Sequence, residues 1–287
     1  MKKIKRILVG IDIFEKSDNV LKRALAIARE KKAELFIVHA VETPWLSMPS
    51  LFGSKEFEID VKGITKTIEE KLKALNSDKK VPYFIYVKED DADDLLLCAA
   101  KWSKANMMVL GAHSKTKSRK RFLGSIVQKV VHKSHIPVLV VKNNLTGTYK
   151  NIVAPTDFQM QSKQSILFAK NLFPTSKINV VNAVQAVYAM DAPYATMGPE
   201  ISEYNNVALS FAKKEMKKFI EEVSVKKGEL IDDEFDFKSE LVKYINKNSD
   251  DLVVVGSRGT SGYKALLGSV ATYILREATN DVLLYVP

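Results

Sequence analysis

Glycines and a serine stand at a spacing that suits phosphate binding in the second half of the chain. Gly256 and Gly259 are followed, after eight residues, by Gly268 and Ser269, and the segment links an apolar run to a helix-like pattern. Glycine lets a backbone turn tightly and bring N–H groups close to a phosphate, and a helix N-terminus adds a positive dipole end. The alternative is a tight turn whose serine caps a helix.

A related element occurs 145 residues earlier in the chain. Gly111 is followed by Ser114, nine further residues, and then Gly124 and Ser125. Here serine stands where the second half has its second glycine, and the Cβ of Ser114 hinders a close backbone approach. The second half keeps both glycines but is one residue shorter before its glycine–serine pair. We therefore favour the second half as the phosphate site.

One aspartate follows the first apolar run of each half. Asp12 comes after RILVGI, and Asp157 comes after NIVAPT. In open parallel sheets, ligands bind beyond the carboxyl ends of the strands, where the strand order reverses. A carboxylate at that place can accept hydrogen bonds from ribose hydroxyls. The alternative is an aspartate that closes a turn or caps a helix.

The elements that must position these residues recur in the same order in both halves. Each half alternates apolar runs with amphipathic segments as β-α-β-α-β-α-β-α-β. The runs are continuously apolar, which is typical of parallel strands covered by helices on both faces. The sequence thus predicts an α/β tandem of two domains, residues 1–144 and 149–287, joined by the short segment 143–150.

Composition limits the class of protein. With 287 residues and 46% hydrophobic content, the chain can build two cores. No apolar run approaches the roughly 20 residues of a membrane span, and Asp12 interrupts the N-terminal run, which we interpret as a strand and not a signal peptide. The single cysteine, Cys98, excludes an internal disulfide and suits the cytoplasm; we expect it to be buried and unreactive.

Charge is distributed unevenly between the halves. Residues 1–144 hold 28 Lys and Arg against 17 Asp and Glu, a net charge of +11, whereas residues 145–287 hold 16 against 17, a net charge of −1. Five of the positive charges lie in the segment 115–122. This segment could bind a triphosphate or another polyanion, and a solvated basic loop is equally compatible with its composition.

Other common catalytic and binding motifs do not occur in the sequence. There is no Gly-x4-Gly-Lys-Ser/Thr and no Gly-x-Gly-x-x-Gly, which excludes P-loop and dinucleotide-binding motifs. No Ser/His/Asp or Cys/His set recurs in both halves. His132 and His135 could share a metal, but no cysteine or carboxylate stands at ligand spacing beside them.

The strand followed by aspartate, the glycine loop ending in Gly-Ser and the final Pro-Val strand resemble universal stress protein domains, and the resemblance spans both halves. It implies Rossmann-like, flavodoxin-type open sheets of five parallel strands in the order 3-2-1-4-5, with helices on both faces. Many domains of that family bind ATP, and others lack the loop and bind none.

The resemblance implies a nucleotide site in each half. Its aspartate faces ribose and phosphate, a residue after the second strand meets adenine through its backbone, the loop holds phosphates, and two valines pack around the nucleotide. In the second half these positions are Asp157, Ala183, Gly256, Gly259, Gly268, Ser269, Val255 and Val270. In the first half they are Asp12, Ala40, Gly111, Ser114, Gly124 and Ser125.

We therefore expect a cytoplasmic stress-response or regulatory protein that binds ATP or a related adenine nucleotide, with or without Mg²⁺, more tightly in the second domain. One alternative is an interaction protein whose degenerate motifs bind no nucleotide. Another is a slow ATP hydrolase, which is less favoured because no general base stands out beyond the two aspartates. Protein partners stay unidentified, and neither a membrane nor a nucleic acid is expected as a partner.

The last apolar run of each half predicts how the domains associate. Both PVLVVK (137–142) and DVLLYVP (281–287) are strongly apolar. A last strand at a sheet edge exposes unpaired backbone groups unless another strand covers it. We expect the two domains to pack through these strands as an intramolecular pseudo-dimer. A homodimer of whole chains through the same strands is the rival arrangement.

Overall fold

The computed structural model describes most of the chain, with gaps between the described ranges, and the chain divides into two compact units, mainly Met1–Thr148 and Tyr149–Pro287. None of the helices in the described ranges is both long and apolar enough to cross a bilayer. The described residues are 3–13, 17–41, 60–112, 123–144, 147–184, 199–232, 236–248, 251–257 and 267–287.

The first unit forms a parallel sheet whose described strands are ordered β3-β2-β1-β4-β5. This confirms the predicted order 3-2-1-4-5. Its elements are β1 (Arg6–Gly10), α1 (Asp18–Lys31), β2 (Glu34–Val41), α2 (Val61–Leu75), β3 (Tyr83–Glu89), α3 (Ala92–Trp102), β4 (Met107–Gly111), α4 (Ser125–Lys133) and β5 (Val138–Val141).

The second unit repeats the architecture, with described strands ordered β8-β7-β6-β9-β10, again all parallel. Its elements are β6 (Asn151–Pro155), α5 (Met160–Leu172), β7 (Lys177–Val184), α6 (Pro199–Glu222), β8 (Lys227–Asp232), α7 (Phe237–Lys247), β9 (Leu252–Gly256), α8 (Ser269–Glu277) and β10 (Asp281–Tyr285).

The inner strands are buried along their length because helices cover both faces of each sheet. In β4 and β9, the first four residues are buried and only the final glycine is partly exposed. Helix α1 packs on β1, β4 and α2, whereas α3 packs on β1, β2 and α4. Right-handed crossovers place the pair α1 and α2 on one face of the sheet and the pair α3 and α4 on the other. Continuous apolar runs are therefore the pattern that these strands require.

Strand registers show which residues of the two units are equivalent. In the first unit Gly10 pairs with Val38, and in the second Pro155 pairs with Val181. The first strands are thus 145 positions apart, but the second strands are 143 apart. Helices α4 and α8 start 144 positions apart. The one-residue difference predicted in the glycine loop therefore falls between the end of β9 and the start of α8.

Cys98 is exposed on α3, so the prediction that it is buried is wrong. The run LLLCAAKW is apolar on more than one side of the helix. Leu95, Leu96 and Ala99 are buried in the sheet contact, and helical rotation turns Cys98 away from them. Local apolar composition thus misled the prediction, because it does not say which side of a helix meets the sheet.

A buried carboxylate links α3 to α4 in the first unit. Asp93 is 5% exposed, and its oxygens accept hydrogen bonds from Lys129 at 3.1 Å and Lys133 at 3.2 Å. The equivalent position on α7 is Lys238, so this ion pair belongs to the first unit alone.

Replacing Asp93 with asparagine is expected to destabilise the first unit at neutral pH by about 1–3 kcal/mol, because two charged hydrogen bonds weaken. Burial raises the pKa of Asp93, but hydrogen bonds from Lys129 and Lys133 outweigh it and lower the pKa from 3.8. A lowered carboxyl pKa gives stability above the unfolded pKa that is lost as pH falls through the folded pKa. The deficit of the variant should therefore shrink once the pH falls below the unfolded pKa, and it should vanish only below the folded pKa.

Urea unfolding at neutral pH and at about pH 3 measures this difference. The matched control is Asp94→Asn, since Asp94 is exposed and lies 3.7 Å from Lys133. A deficit for Asp93→Asn that is equal at both pH values would contradict an electrostatic origin.

Candidate nucleotide site

The predicted residues of each unit lie at the carboxyl edge of the sheet, where the strand order reverses. Asp12 and Asp157 stand two residues beyond β1 and β6. Gly111 and Gly256 end the neighbouring strands β4 and β9. From β1 and β6 the chain first builds strands to one side and then to the other. This reversal opens the crevice in which open α/β sheets bind ligands.

The Asp157 carboxylate is held by its own loop. Oδ1 accepts hydrogen bonds from the Ser162 hydroxyl at 2.7 Å and from the Gln159 N–H at 3.0 Å. The side chain is exposed, and Oδ2 has no hydrogen-bond partner within the described ranges. One oxygen thus orients the carboxylate, and the other is available to a ligand.

The residue after Asp157 has an unusual backbone conformation. Phe158 has φ 62°, a left-handed conformation that costs a bulky residue about 1–3 kcal/mol. Its N–H donates to Thr156 Oγ1 at 2.9 Å, and its ring meets Phe219 edge-on at 5.7 Å. These contacts hold the turn, and the turn sets the direction of the Asp157 side chain.

A polar residue on the adjacent strand supports the same turn in both units. His39 Nδ1 donates to the Ile11 carbonyl at 2.9 Å, and Asn182 Nδ2 donates to the Thr156 carbonyl at 2.8 Å. The strand registers make His39 and Asn182 equivalent, and each acceptor immediately precedes the aspartate. Sequence reasoning missed this pair. The available signal was a lone polar residue inside an apolar strand, in VHAV and VNAV.

The next residues on these strands are the two alanines predicted to meet adenine. Ala40 pairs with Lys88 of β3, and Ala183 pairs with Ile231 of β8. Both alanines are half-buried near the carboxyl ends of β2 and β7. They lie on the strand beside the one that ends at the aspartate.

Glycine and not serine occupies the cap position of α4 and α8. Gly124 (φ −59°, ψ 145°) and Gly268 (φ −63°, ψ 153°) are the N-caps, and neither has a side-chain capping bond. Ser125 and Ser269 are the exposed first residues of the helices. The alternative in which serine caps the helix is therefore wrong. The first-turn N–H groups therefore donate no hydrogen bond to a cap side chain.

Gly256 has a packing role at the edge. A Cβ added there would lie 3.0 Å from the Gln161 carbonyl oxygen and 3.1 Å from its carbon. Glycine thus lets the first turn of α5 approach the end of β9. Since Gln161 follows Asp157 by four residues, this contact also sets the position of the aspartate loop.

The remaining predicted residues are either buried or outside the described residues. Val255 is 4% exposed within β9 and belongs to the core, while Val270 is half-buried on α8. Gly259, Ser114 and the basic segment 115–122 lie outside the described residues.

Two curated relatives resemble about half of this chain each. Universal stress protein MJ0531 of Methanocaldococcus jannaschii is 29% identical over 140 residues, covering 48% of this chain and 82% of the relative. Universal stress protein YxiE of Bacillus subtilis is 30% identical over 146 residues, covering 48% of this chain and 98% of the relative. Each relative therefore corresponds to about one unit.

Among solved structures, the functionally unknown protein PA1789 from Pseudomonas aeruginosa PAO1 matches with a TM-score of 0.73 at 16% identity, over 98% of this chain and 92% of its own. This likeness shows the fold. A universal stress protein in complex with cAMP matches 49% of this chain and 98% of its own at 23% identity, with a TM-score of 0.37. The cyclic nucleotide is a ligand of that protein.

The sequence model of the Universal stress protein family matches residues 3–142 and again residues 148–286. These two matches cover both units and the strand-end residues described above. The chain therefore belongs to the universal stress protein family, as a tandem of two such domains.

Proposed function

We propose that this chain is a cytoplasmic regulatory protein that binds an adenine nucleotide at the carboxyl edge of its second unit. Among adenine nucleotides, ATP is the ligand that we propose. The observation that carries the proposal is the Asp157 carboxylate. Its Oδ1 is fixed by Ser162 and Gln159, and its Oδ2 is without a partner in the described part of the chain.

The order of groups along this edge fits the order of parts in a nucleotide. Strands β7, β6 and β9 are neighbours, and they present in turn Ala183, Asp157 and Gly256. Neighbouring strands are about 4.8 Å apart, so these groups span about 10 Å. Adenine would lie over the end of β7, ribose would bind the carboxylate, and phosphates would approach Gly268 at the start of α8.

The first unit has the same arrangement, but its loop matches the phosphate-binding pattern less well. Asp12, Gly111 and Gly124 occupy the equivalent places, but Ser114 replaces the second glycine of the loop. A side chain at that position disfavours a close phosphate approach. We propose that the first unit binds the nucleotide more weakly than the second.

Replacing Asp157 with asparagine is expected to weaken ATP binding by about 10- to 100-fold. Asparagine keeps an acceptor toward Ser162 and Gln159, but it presents an amide where Oδ2 would accept from ribose. A hydrogen bond to a charged group contributes about 1.5–3 kcal/mol. Titration calorimetry of the full chain with ATP, with and without Mg²⁺, measures the change, and released phosphate reports any turnover.

The matched control is Asp12→Asn at the equivalent position of the first unit. It should leave the tighter binding event unchanged. Undiminished ATP affinity in a folded Asp157→Asn protein, or a larger loss in Asp12→Asn, would overturn the assignment to the second unit.

A further inference from the structure

A cavity lies in the second unit, at the end of the sheet opposite to Asp157. Its volume is about 830 Å³, within the range of small-molecule sites. It is lined by Lys177 and Lys227 at the starts of β7 and β8, by the turns that precede these strands, and by the last turns of α7. It shares no residue with the nucleotide edge.

The floor of this cavity is apolar. Phe173 and Ile178 are 2% and 9% exposed, and Val225 and Tyr244 complete the apolar lining. Such a surface binds hydrocarbon or aromatic groups by removing their apolar area from water. The body of a suitable ligand is therefore apolar.

Asn179 lines the cavity and belongs to a polar network in its wall. Its Nδ2 donates to Glu229 Oε1 at 3.1 Å and to Tyr244 Oη at 3.0 Å, and Tyr244 in turn donates to Glu229 Oε2 at 2.6 Å. Because a carboxylate only accepts, these bonds fix the orientation of the amide. Asn179 Oδ1 is then buried without a hydrogen-bond partner within the described ranges, and because it is closed to solvent it is not offered to a ligand in the cavity.

The rim of the cavity is cationic. Lys177 and Lys226 are exposed, and neither side-chain ammonium group has a hydrogen-bond or ion-pair partner within the described ranges. Lys227 pairs with Glu229, and Lys170 donates to the carbonyls of Val223 and Ser224. Asp251, near the rim at Asn151, is engaged by two backbone N–H groups. Two ammonium groups are therefore left to attract an anion.

We propose that this cavity binds an amphiphilic organic anion. The ligand has an apolar ring system or chain that lies on Phe173 and Val225. Its acidic group, a carboxylate, sulfonate or phosphate, lies between Lys177 and Lys226.

The first unit shows that this chemistry is particular to the second. Strand registers make Phe36 equivalent to Asn179 and Phe84 equivalent to Lys227. There, Phe36, Phe84 and Trp102 form a cluster with ring centroids 5.9–6.2 Å apart. The amide, the carboxylate and the ammonium of the second unit are thus replaced by aromatic rings.

The test uses 1-anilinonaphthalene-8-sulfonate, which combines aromatic rings with a sulfonate, titrated into the full chain by fluorescence. Lys177→Glu together with Lys226→Glu should weaken its binding by about tenfold or more, because an attraction becomes a repulsion. The charge-matched control is Lys101→Glu with Lys104→Glu on the first unit, and Phe84→Lys checks the aromatic cluster. Neither control should change the affinity.

Saturating ATP separates this proposal from the nucleotide site. Unchanged probe affinity in the presence of ATP supports a separate cavity. Displacement of the probe by ATP, equal affinity in the Lys177→Glu, Lys226→Glu variant, or an equal loss in either control would overturn the proposal. None of these results decides whether ATP binds at Asp157.

Discussion

Replacing Gly268 with valine is expected to abolish ATP binding while the second unit stays folded. The backbone of Gly268, φ −63° and ψ 153°, is open to every residue, so valine causes no backbone strain there. Its side chain would instead stand over the first turn of α8, where we place the phosphates. We expect an affinity loss of about 100-fold or more and a stability loss of about 1 kcal/mol for the poorer cap.

Calorimetry with ATP and thermal unfolding of the same sample separate the two effects. Gly124→Val at the cap of α4 is the matched control, and it should leave the tighter binding event intact. A folded Gly268→Val protein that binds ATP like the parent would show that the phosphates do not approach this helix.

Replacing Gly256 with valine is expected to damage both folding and binding. The new Cβ would lie 3.0 Å from the Gln161 carbonyl oxygen, and since that neighbour is backbone, the first turn of α5 must move. Forced overpacking costs about 1–3 kcal/mol, and the shift carries Asp157 away from its position. Urea unfolding should show a lower midpoint for the second unit, and calorimetry should show weaker ATP binding.

The contrast with another glycine of the same sheet serves as the control. A Cβ at Gly228 of β8 would lie 2.6 Å from Met216 Sδ and 2.9 Å from Ile220 Cγ2, so Gly228→Ala should also destabilise the second unit. It should leave ATP affinity unchanged, because β8 lies two strands away from β6. A Gly256→Val protein as stable as the parent would mean that α5 does not approach β9 closely.

Much of the fold follows from short-range patterns. Runs such as MMVLG and LVVVG are too apolar for strands with one wet face, and amphipathic segments between them require parallel crossovers. The order 3-2-1-4-5 came from the family resemblance, since periodicity alone does not decide which strands are neighbours. The prediction that Cys98 is buried was wrong because composition does not say which side of a helix faces the sheet.

In the candidate site, too, some residues could be predicted from local sequence and others depend on the folded structure. Asp157 could be found because an aspartate after an apolar run stands out locally. The contact of Gly256 with Gln161 and the support from Asn182 depend on strands that meet only in the folded unit. The cavity lined by Lys177 and Lys226 could not be predicted from the sequence either, because its polar network joins Asn179 to Tyr244, 65 residues later.

The pair His39 and Asn182 shows what kind of change the repeat has tolerated. In both side chains the donor nitrogen is attached to Cγ, so it stands at the same distance from the main chain although one residue is an aromatic base and the other an amide. Divergence between the halves has therefore followed the position of one atom and not the chemical class of the residue. Searches for distant copies of this domain should accept histidine and asparagine as interchangeable at this position and treat glutamine, despite its amide, as a mismatch.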